Sequence, residues 1–214
     1  MKKFLIAAVA ACALALAATA GAALEPGVFD PGNTGCPTSS FSNGVLHLAK
    51  NCVSTTNASA GANITGLSGQ TFQSASFTLA SASQCQGGSP RFNVFTSDGT
   101  FFLGCNNVTP TLNGDGTATY TFTAATLAAA GQQVPVPTGT INSVEVLIDQ
   151  QGTADISNIV VNGVLQVPTP TEPTSKNACK HGGWKQFSNP KFKNQGQCVS
   201  HFNHVLHAAT HHKH

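Results

Sequence analysis

The sequence predicts an all-β protein: an antiparallel, jelly-roll-like β-sandwich over residues 24–167, a Pro/Thr linker over 168–176, and a small disulfide-closed module with one helix over 177–214. Three observations carry this. Apolar residues alternate at period two with Ser and Thr through the larger region, and turn-forming dipeptides fall between the alternating runs. Beyond one two-turn stretch, apolar residues take up helical spacing only near the C-terminus.

The first 23 residues have the anatomy of a secretory signal peptide: Lys2 and Lys3, an apolar run from Phe4 to about Ala17, then small residues. Ala18-Thr19-Ala20 is the favoured cleavage site and Ala20-Gly21-Ala22 the alternative. Val9-Ala10-Ala11-Cys12 resembles a lipoprotein box, but cutting there leaves an apolar N-terminus after a very short hydrophobic region, so lipidation of Cys12 is disfavoured. No other segment approaches the ~20 apolar residues of a membrane span. An exported, soluble chain is expected; Cys12 would leave with the signal peptide, so six of the seven cysteines remain. They fall into three local couples, Cys36/Cys52, Cys85/Cys105 and Cys179/Cys198, with 15, 19 and 18 residues between partners. These couples are the expected disulfides, each contributing ~3 kcal/mol by restricting the unfolded chain. The absence of any CxxC argues against a zinc ribbon or a thioredoxin-like site.

About 145 residues suffice for one sizeable core. Ala75, Phe77 and Leu79 oppose Ser74, Ser76 and Thr78; Ala118, Tyr120 and Phe122 oppose Thr117, Thr119, Thr121 and Thr123; Val144, Val146 and Ile148 oppose Glu145 and Asp149. Asp98-Gly99 and Asn162-Gly163 read as type I′ hairpin turns, and Asn113-Gly-Asp-Gly116 as a third reversal. Ala124–Ala130, ended by Gly131, is the one helical stretch. Around nine strands are expected, in a sandwich rather than a barrel.

The stretch Ala82-Ser-Gln-Cys-Gln-Gly-Gly-Ser-Pro-Arg-Phe92, then Asp98-Gly-Thr, Gly104-Cys-Asn106 and Ser143 to Asn162, resembles a recurrent β-sandwich domain of secreted bacterial proteins. The closing strands also resemble those of jelly-roll carbohydrate-binding modules. The resemblance covers about two thirds of the domain and brings no catalytic residues with it.

Catalysis is not indicated. His47 is the only histidine of the larger region, and Gly66-Leu-Ser-Gly-Gln70 misses the nucleophile-elbow spacing. Glu145 and Asp149 share a strand face but sit roughly 13 Å apart at strand rise, too far for a retaining glycosidase pair. Asn113-Gly-Asp-Gly116 lacks the first and twelfth ligands of an EF-type calcium loop and reads as a turn. With no Trp in the sandwich and Tyr120 on the apolar side, flat binding to crystalline polysaccharide is disfavoured. A shallow site of Asn, Gln, Asp and Arg91 beside Phe95 or Phe101 is the remaining lectin-like option, with Arg91 equally suited to bracing an acidic loop.

Charge divides the chain. From Leu24 to Pro168, two cations, Lys50 and Arg91, face seven acidic residues, a formal −5. From Thr169 onward six lysines face Glu172 alone, a formal +5, and seven of the eight histidines lie there too. The basic end suits an anionic surface, and mildly acidic conditions would charge it further. The linker should run extended for about 28 Å. Beyond it, Cys179, Gly182-Gly183-Trp184, Phe187, Lys193-Asn-Gln-Gly196 and Cys198-Val199 resemble a short C-terminal module of exported actinobacterial and other bacterial proteins. Trp184, Phe187, Phe192 and Phe202 are its expected core, and Val199, Phe202, Val205 and Leu206 the inner stripe of a helix from about Gln195 to Ala209. Trp184 reads as core before sugar platform. His204, His207 and His211 have helical metal-ligand spacing without an accompanying Cys or carboxylate, so no dedicated metal site and no cofactor are expected.

The function expected from these readings is an exported, non-catalytic binding protein associated with a glycan or the cell envelope. Lys180, Trp184, Lys185, Lys191 and Lys193 would engage an anionic polymer, and Arg91 would serve the sandwich site. An extracellular matrix protein without a small-ligand site is the second reading, and a polysaccharide-active enzyme the third. The lack of arginine in the tail argues against nucleic acid. Oligomeric state is left open.

Overall fold

The computed structural model describes residues 23–130, 134–168, 173, 175–187 and 190–211, the last helix by its backbone alone from 205 onward. In chain order the strands are β1 (Ala23–Phe29), β2 (Pro37–Ser42), β3 (Val45–Lys50), β4 (Ser59–Ile64), β5 (Ala75–Leu79), β6 (Arg91–Thr96) and β7 (Gly99–Gly104). They continue as β8 (Thr111–Leu112), β9 (Ala118–Phe122), β10 (Ile141–Ile148), β11 (Gly152–Val161), β12 (Val164–Leu165) and β13 (Val167–Pro168). Helices α1 (Ala124–Ala129) and α2 (Gln195–His211) complete the regular structure with short 3-10 turns.

The strands form two sheets, in the orders β13-β1-β4-β10-β6-β7 and β2-β3-β11-β5-β9-β8, with β12 added to β11. Pairing is antiparallel except where β1 meets β13. The central strands β4-β10-β6-β7 and β3-β11-β5-β9 exchange sheets along the chain as the two Greek keys of a jelly roll do. The expected fold class is therefore present, with more strands than expected. The additions are edge or closing strands too short or too irregular to show alternation.

Period-two patterning sets the core. Phe77, Phe92, Val94, Phe122, Val146 and Ile156 are fully buried between the sheets. Phe77 lies at the centre of an aromatic cluster, its ring centroid 5.5 Å from Phe92, 5.4 Å from Tyr120 and 5.7 Å from Phe122. Helix α1 opens on a Thr123/Thr126 capping box and buries Leu127.

The three expected disulfides are formed. Cys36–Cys52 clasps the ends of the β2–β3 hairpin, Cys85–Cys105 ties the segment after β5 to the end of β7, and Cys179–Cys198 joins a 3-10 turn to α2.

The turns correct the sequence reading in two places. Asn162-Gly163 does have positive φ at both residues, as a type I′ turn requires. The β6–β7 loop, however, is Ser97-Asp98, neither with positive φ, and Gly99 already pairs with Thr96. A further type I′ turn, not expected from the sequence, occurs at Asn43-Gly44, with φ of 51° and 80°, between β2 and β3. Asn113–Gly116 is a turn, closed by the Asn113 amide bonding the Thr117 carbonyl; Asp115 accepts from the Thr117 amide and hydroxyl.

Residues 1–22, with Cys12, lie outside the described residues. Ala23 belongs to β1, where it pairs with Val167, and Pro168 pairs with Leu24, so sheet pairing extends one residue past each expected boundary. Most of the linker also lies outside the described residues. No helix among the described residues is long and apolar enough to cross a membrane.

In the C-terminal module, Phe187 and Phe192 pack edge to face at 5.8 Å around the buried Cys179–Cys198 bridge. Ala178, Trp184 and Val199 pack against them half-buried, whereas Phe202, expected in this core, is only partly covered. Gly182 and Gly183 serve different purposes. Gly182 takes a left-handed φ of 86°, and a Cβ on Gly183 would overlap the Ala178 carbonyl oxygen.

Candidate functional site: a groove on the outer face of the first sheet

Alternation that sends Val144, Val146 and Ile148 into the core turns Glu145 and Leu147 outward on β10. Register then fixes their neighbours. Glu145 lies beside Asn63 of β4 and Asn93 of β6, and Leu147 beside Gly61 and Arg91. Gly61 in turn pairs with Gly27 of β1, and Ser59 with Phe29. Two facing glycines leave a bare stretch of sheet. A Cβ on Gly61 would meet the Leu147 Cβ at 2.7 Å, while Gly27 has open space above it.

The consequence is a groove across four strands. One hollow of about 160 Å³ is lined by Gly27, Phe29, Gly61, Asn63, Glu145 and Leu147. A second, of about 500 Å³, shares Phe29, Ser59, Glu145 and Leu147 with it and continues over Arg91, Asn93 and Asp149 to the 54–57 loop. Phe29 is 55% exposed, an apolar platform among amide, hydroxyl and carboxylate groups. Phe102, equally exposed, lies beyond Asn93 on β7.

Polar contacts hold the far wall rigid. The Arg91 guanidinium pairs through Nη1 with Asp149 Oδ2, donates from Nε to Asn93 Oδ1 at 2.8 Å, and lies 5.4 Å from the centroid of Phe102. Ser89 Oγ donates to Asp149 Oδ1 at 3.2 Å. Arg91 thus braces an acidic residue, one of the two roles considered for it, and borders the groove. Glu145 receives a long 3.5 Å contact from Asn93 Nδ2. Asp149 is committed to Arg91 and Ser89, which leaves Glu145 as the carboxylate most open to a ligand.

Lys50 is the residue that charge counting misjudges. It is 1% exposed, and its Nζ donates to the carbonyls of Ser54, Thr56 and Asp149 at 3.0, 2.7 and 2.7 Å. All three ammonium protons are used. Lys50 therefore binds the 51–57 loop to the end of β10 and fixes one wall of the groove.

Of the two aromatic residues expected at a shallow site, Phe101 needs correction, because it packs against the core. Phe95 is half-buried and alternates to the same face of β6 as Arg91 and Asn93. The Thr96–Gly99 pairing sets the register so that Phe101 points inward opposite Val94 and Phe102 points outward opposite Asn93. Phe29 carries no sequence signal of its own. Only its register against Ser59 places it at the groove.

The other expected site residues form a separate surface. Lys180, Lys185, Lys191 and Lys193 are exposed on the C-terminal module, with Lys185 Nζ 5.5 Å from the half-buried Trp184 ring. No acidic residue follows Glu172 in the chain. His201 stacks near Phe192 at 5.3 Å; the side chains of His207 and His211 lie outside the described residues.

Fold and disulfides define the class as a disulfide-linked, all-β sandwich protein. No family model matches the chain, and the curated proteins and solved structures yield no match either.

Proposed function

We propose that this chain is an exported binding protein, non-catalytic at its groove, that holds a glycan on the outer face of the first sheet. Its basic C-terminal module engages an anionic envelope polymer. The observation supporting the first part is the continuous groove in which the exposed Phe29 ring sits among Asn63, Asn93, Glu145 and Arg91. Sugars present apolar C–H faces and hydroxyl rims, which require such a ring with nearby fixed polar groups. Support for the second part is the exposure of Lys180, Lys185, Lys191 and Lys193, in a stretch of sequence without acidic residues. The bacterial secreted-module resemblance of both regions agrees with export.

Affinity electrophoresis of the disulfide-intact mature chain, in gels containing neutral or acidic polysaccharides at low and high salt, tests both parts. F29A is expected to abolish retardation by a neutral glycan at either salt. Changing Lys180, Lys185, Lys191 and Lys193 together to Gln is expected to remove only the salt-sensitive retardation by acidic polymers. Unretarded migration of the wild-type chain across the whole panel would sink the reading.

A further inference from the structure

The opposite face of the sandwich carries a second arrangement. His47 on β3 stands beside Asp155 of β11 in the pairing register, and Ser42 ends the neighbouring strand β2. Their side chains meet in a chain of contacts: Ser42 Oγ lies 3.1 Å from His47 Nε2, and His47 Nδ1 lies 2.7 Å from Asp155 Oδ1. An ionised carboxylate only accepts, so Nδ1 carries the proton donated to Asp155, and in the neutral imidazole the Nε2 lone pair faces the Ser42 hydroxyl. That is the tautomer a general base needs. Asp155 is itself held: Gln84 Nε2 donates to its Oδ2 at 3.4 Å, and its amide donates to Gln84 Oε1 at 3.3 Å.

From this geometry we propose that Ser42, His47 and Asp155 form a nucleophilic centre that hydrolyses carboxylic esters. The same order of nucleophile, base and orienting acid recurs on unrelated folds and is recognised by geometry rather than by chain position. Ser42 is exposed, and the His47 and Asp155 side chains are 43% and 44% exposed, so an ester on a polymer or a small alcohol reaches the hydroxyl directly. In this proposal the amides of Asn43 and Gly44, in the turn that follows Ser42, are the donors for the carbonyl oxygen.

In the reaction, Ser42 Oγ adds to the ester carbonyl as His47 Nε2 takes the hydroxyl proton. The carbonyl C–O bond to the alcohol breaks, and the alcohol leaves with that proton. Water then repeats the step on acyl-Ser42, releasing the carboxylic acid and restoring the hydroxyl. Ser42 and His47 are the catalytic residues, and Asp155 is a positioning residue. The proposal does not depend on the groove of the first sheet.

The test is p-nitrophenolate release from p-nitrophenyl acetate by the mature disulfide-intact chain, with short-time peptide mass spectrometry for acetyl on Ser42. S42A and H47A are each expected to lose at least tenfold in rate, the double variant losing no more than the worse single one. D155N is expected to lower kcat at unchanged KM, with partial recovery in D155E; a merely structural Asp155 would not split the two constants. Because all three side chains lie on the open face, melting temperatures should stay near that of the parent. Equal rates in S42A and the parent, no release above buffer, or acetyl found only on lysines would each overturn the assignment.

Discussion

The sandwich and the C-terminal module both contain disulfides, but they rely on them to different degrees. Among the described residues the sandwich core numbers twenty-eight buried residues arranged around Phe77, while the module core is Cys179, Phe187, Phe192 and Cys198, two of which are the bridge itself. Burial therefore holds the first together, and its two disulfides only tighten it. In the second the crosslink substitutes for a core too small to stand alone. The chain also provides a separate reporter for each region, because Tyr120 is its only Tyr and Trp184 its only Trp.

The largest effect is expected from F77A, which removes a ring contacting three other aromatics in the centre of the sandwich. It should cost about 3–5 kcal/mol in denaturant unfolding followed at Tyr120. The Trp184 transition should not move; if it moves in step, the two regions are one cooperative unit and the contrast fails. Replacing Cys179 and Cys198 by Ser should remove ~3 kcal/mol and unfold the module under native conditions. Red-shifted Trp184 emission and loss of the α2 helical signal would report it. The same replacement at Cys36 and Cys52 should only lower the sandwich midpoint.

A smaller cost, about 1–3 kcal/mol, is expected for K50M, which leaves the carbonyls of Ser54, Thr56 and Asp149 without their donor. Thermal melting followed at Tyr120 measures it, and a midpoint equal to that of the parent would contradict the bracing role.

The smallest effect concerns acid. The Thr34 amide, foremost, with the Gly35 amide and Thr34 hydroxyl, holds the Asp30 carboxyl below its ordinary 3.8. The Thr117 hydroxyl, then its amide, does the same for Asp115. A depressed folded pKa means that the unfolded chain binds these protons more tightly. Their stabilisation is full above about the unfolded value and is lost as pH falls through the lower folded values. The D30N/D115N double variant should therefore show a shallower loss of Tyr120-monitored stability below pH 3.8 than the parent.

Features set by near neighbours are legible in the sequence. Alternation in Ala75–Leu79, Ala118–Phe122 and Val144–Ile148 marks strands because burial on one face demands it. Cys85 pairs with Cys105 as their spacing suggests, because short loops close at least entropic cost. Asn43-Gly44 is an equally plain turn signal, the same dipeptide as Asn162-Gly163, although only the latter is among the expected hairpin turns. The β6–β7 turn lies one residue before its expected place, which moves the partner of Phe101 from Thr96 to Val94 without changing the face it points to.

Composition, period-two patterning, cysteine spacing and the charge contrast between the two ends were determined by the sequence alone, since each depends on residues close together in the chain. Only the tertiary structure placed Phe29 with Glu145 and Arg91, buried Lys50 among three carbonyls, and brought His47 to Asp155 across 108 residues of chain. Those arrangements depend on which strands become neighbours and in which register. Strand order in a jelly roll is settled by packing two sheets over one core, and no local pattern encodes it.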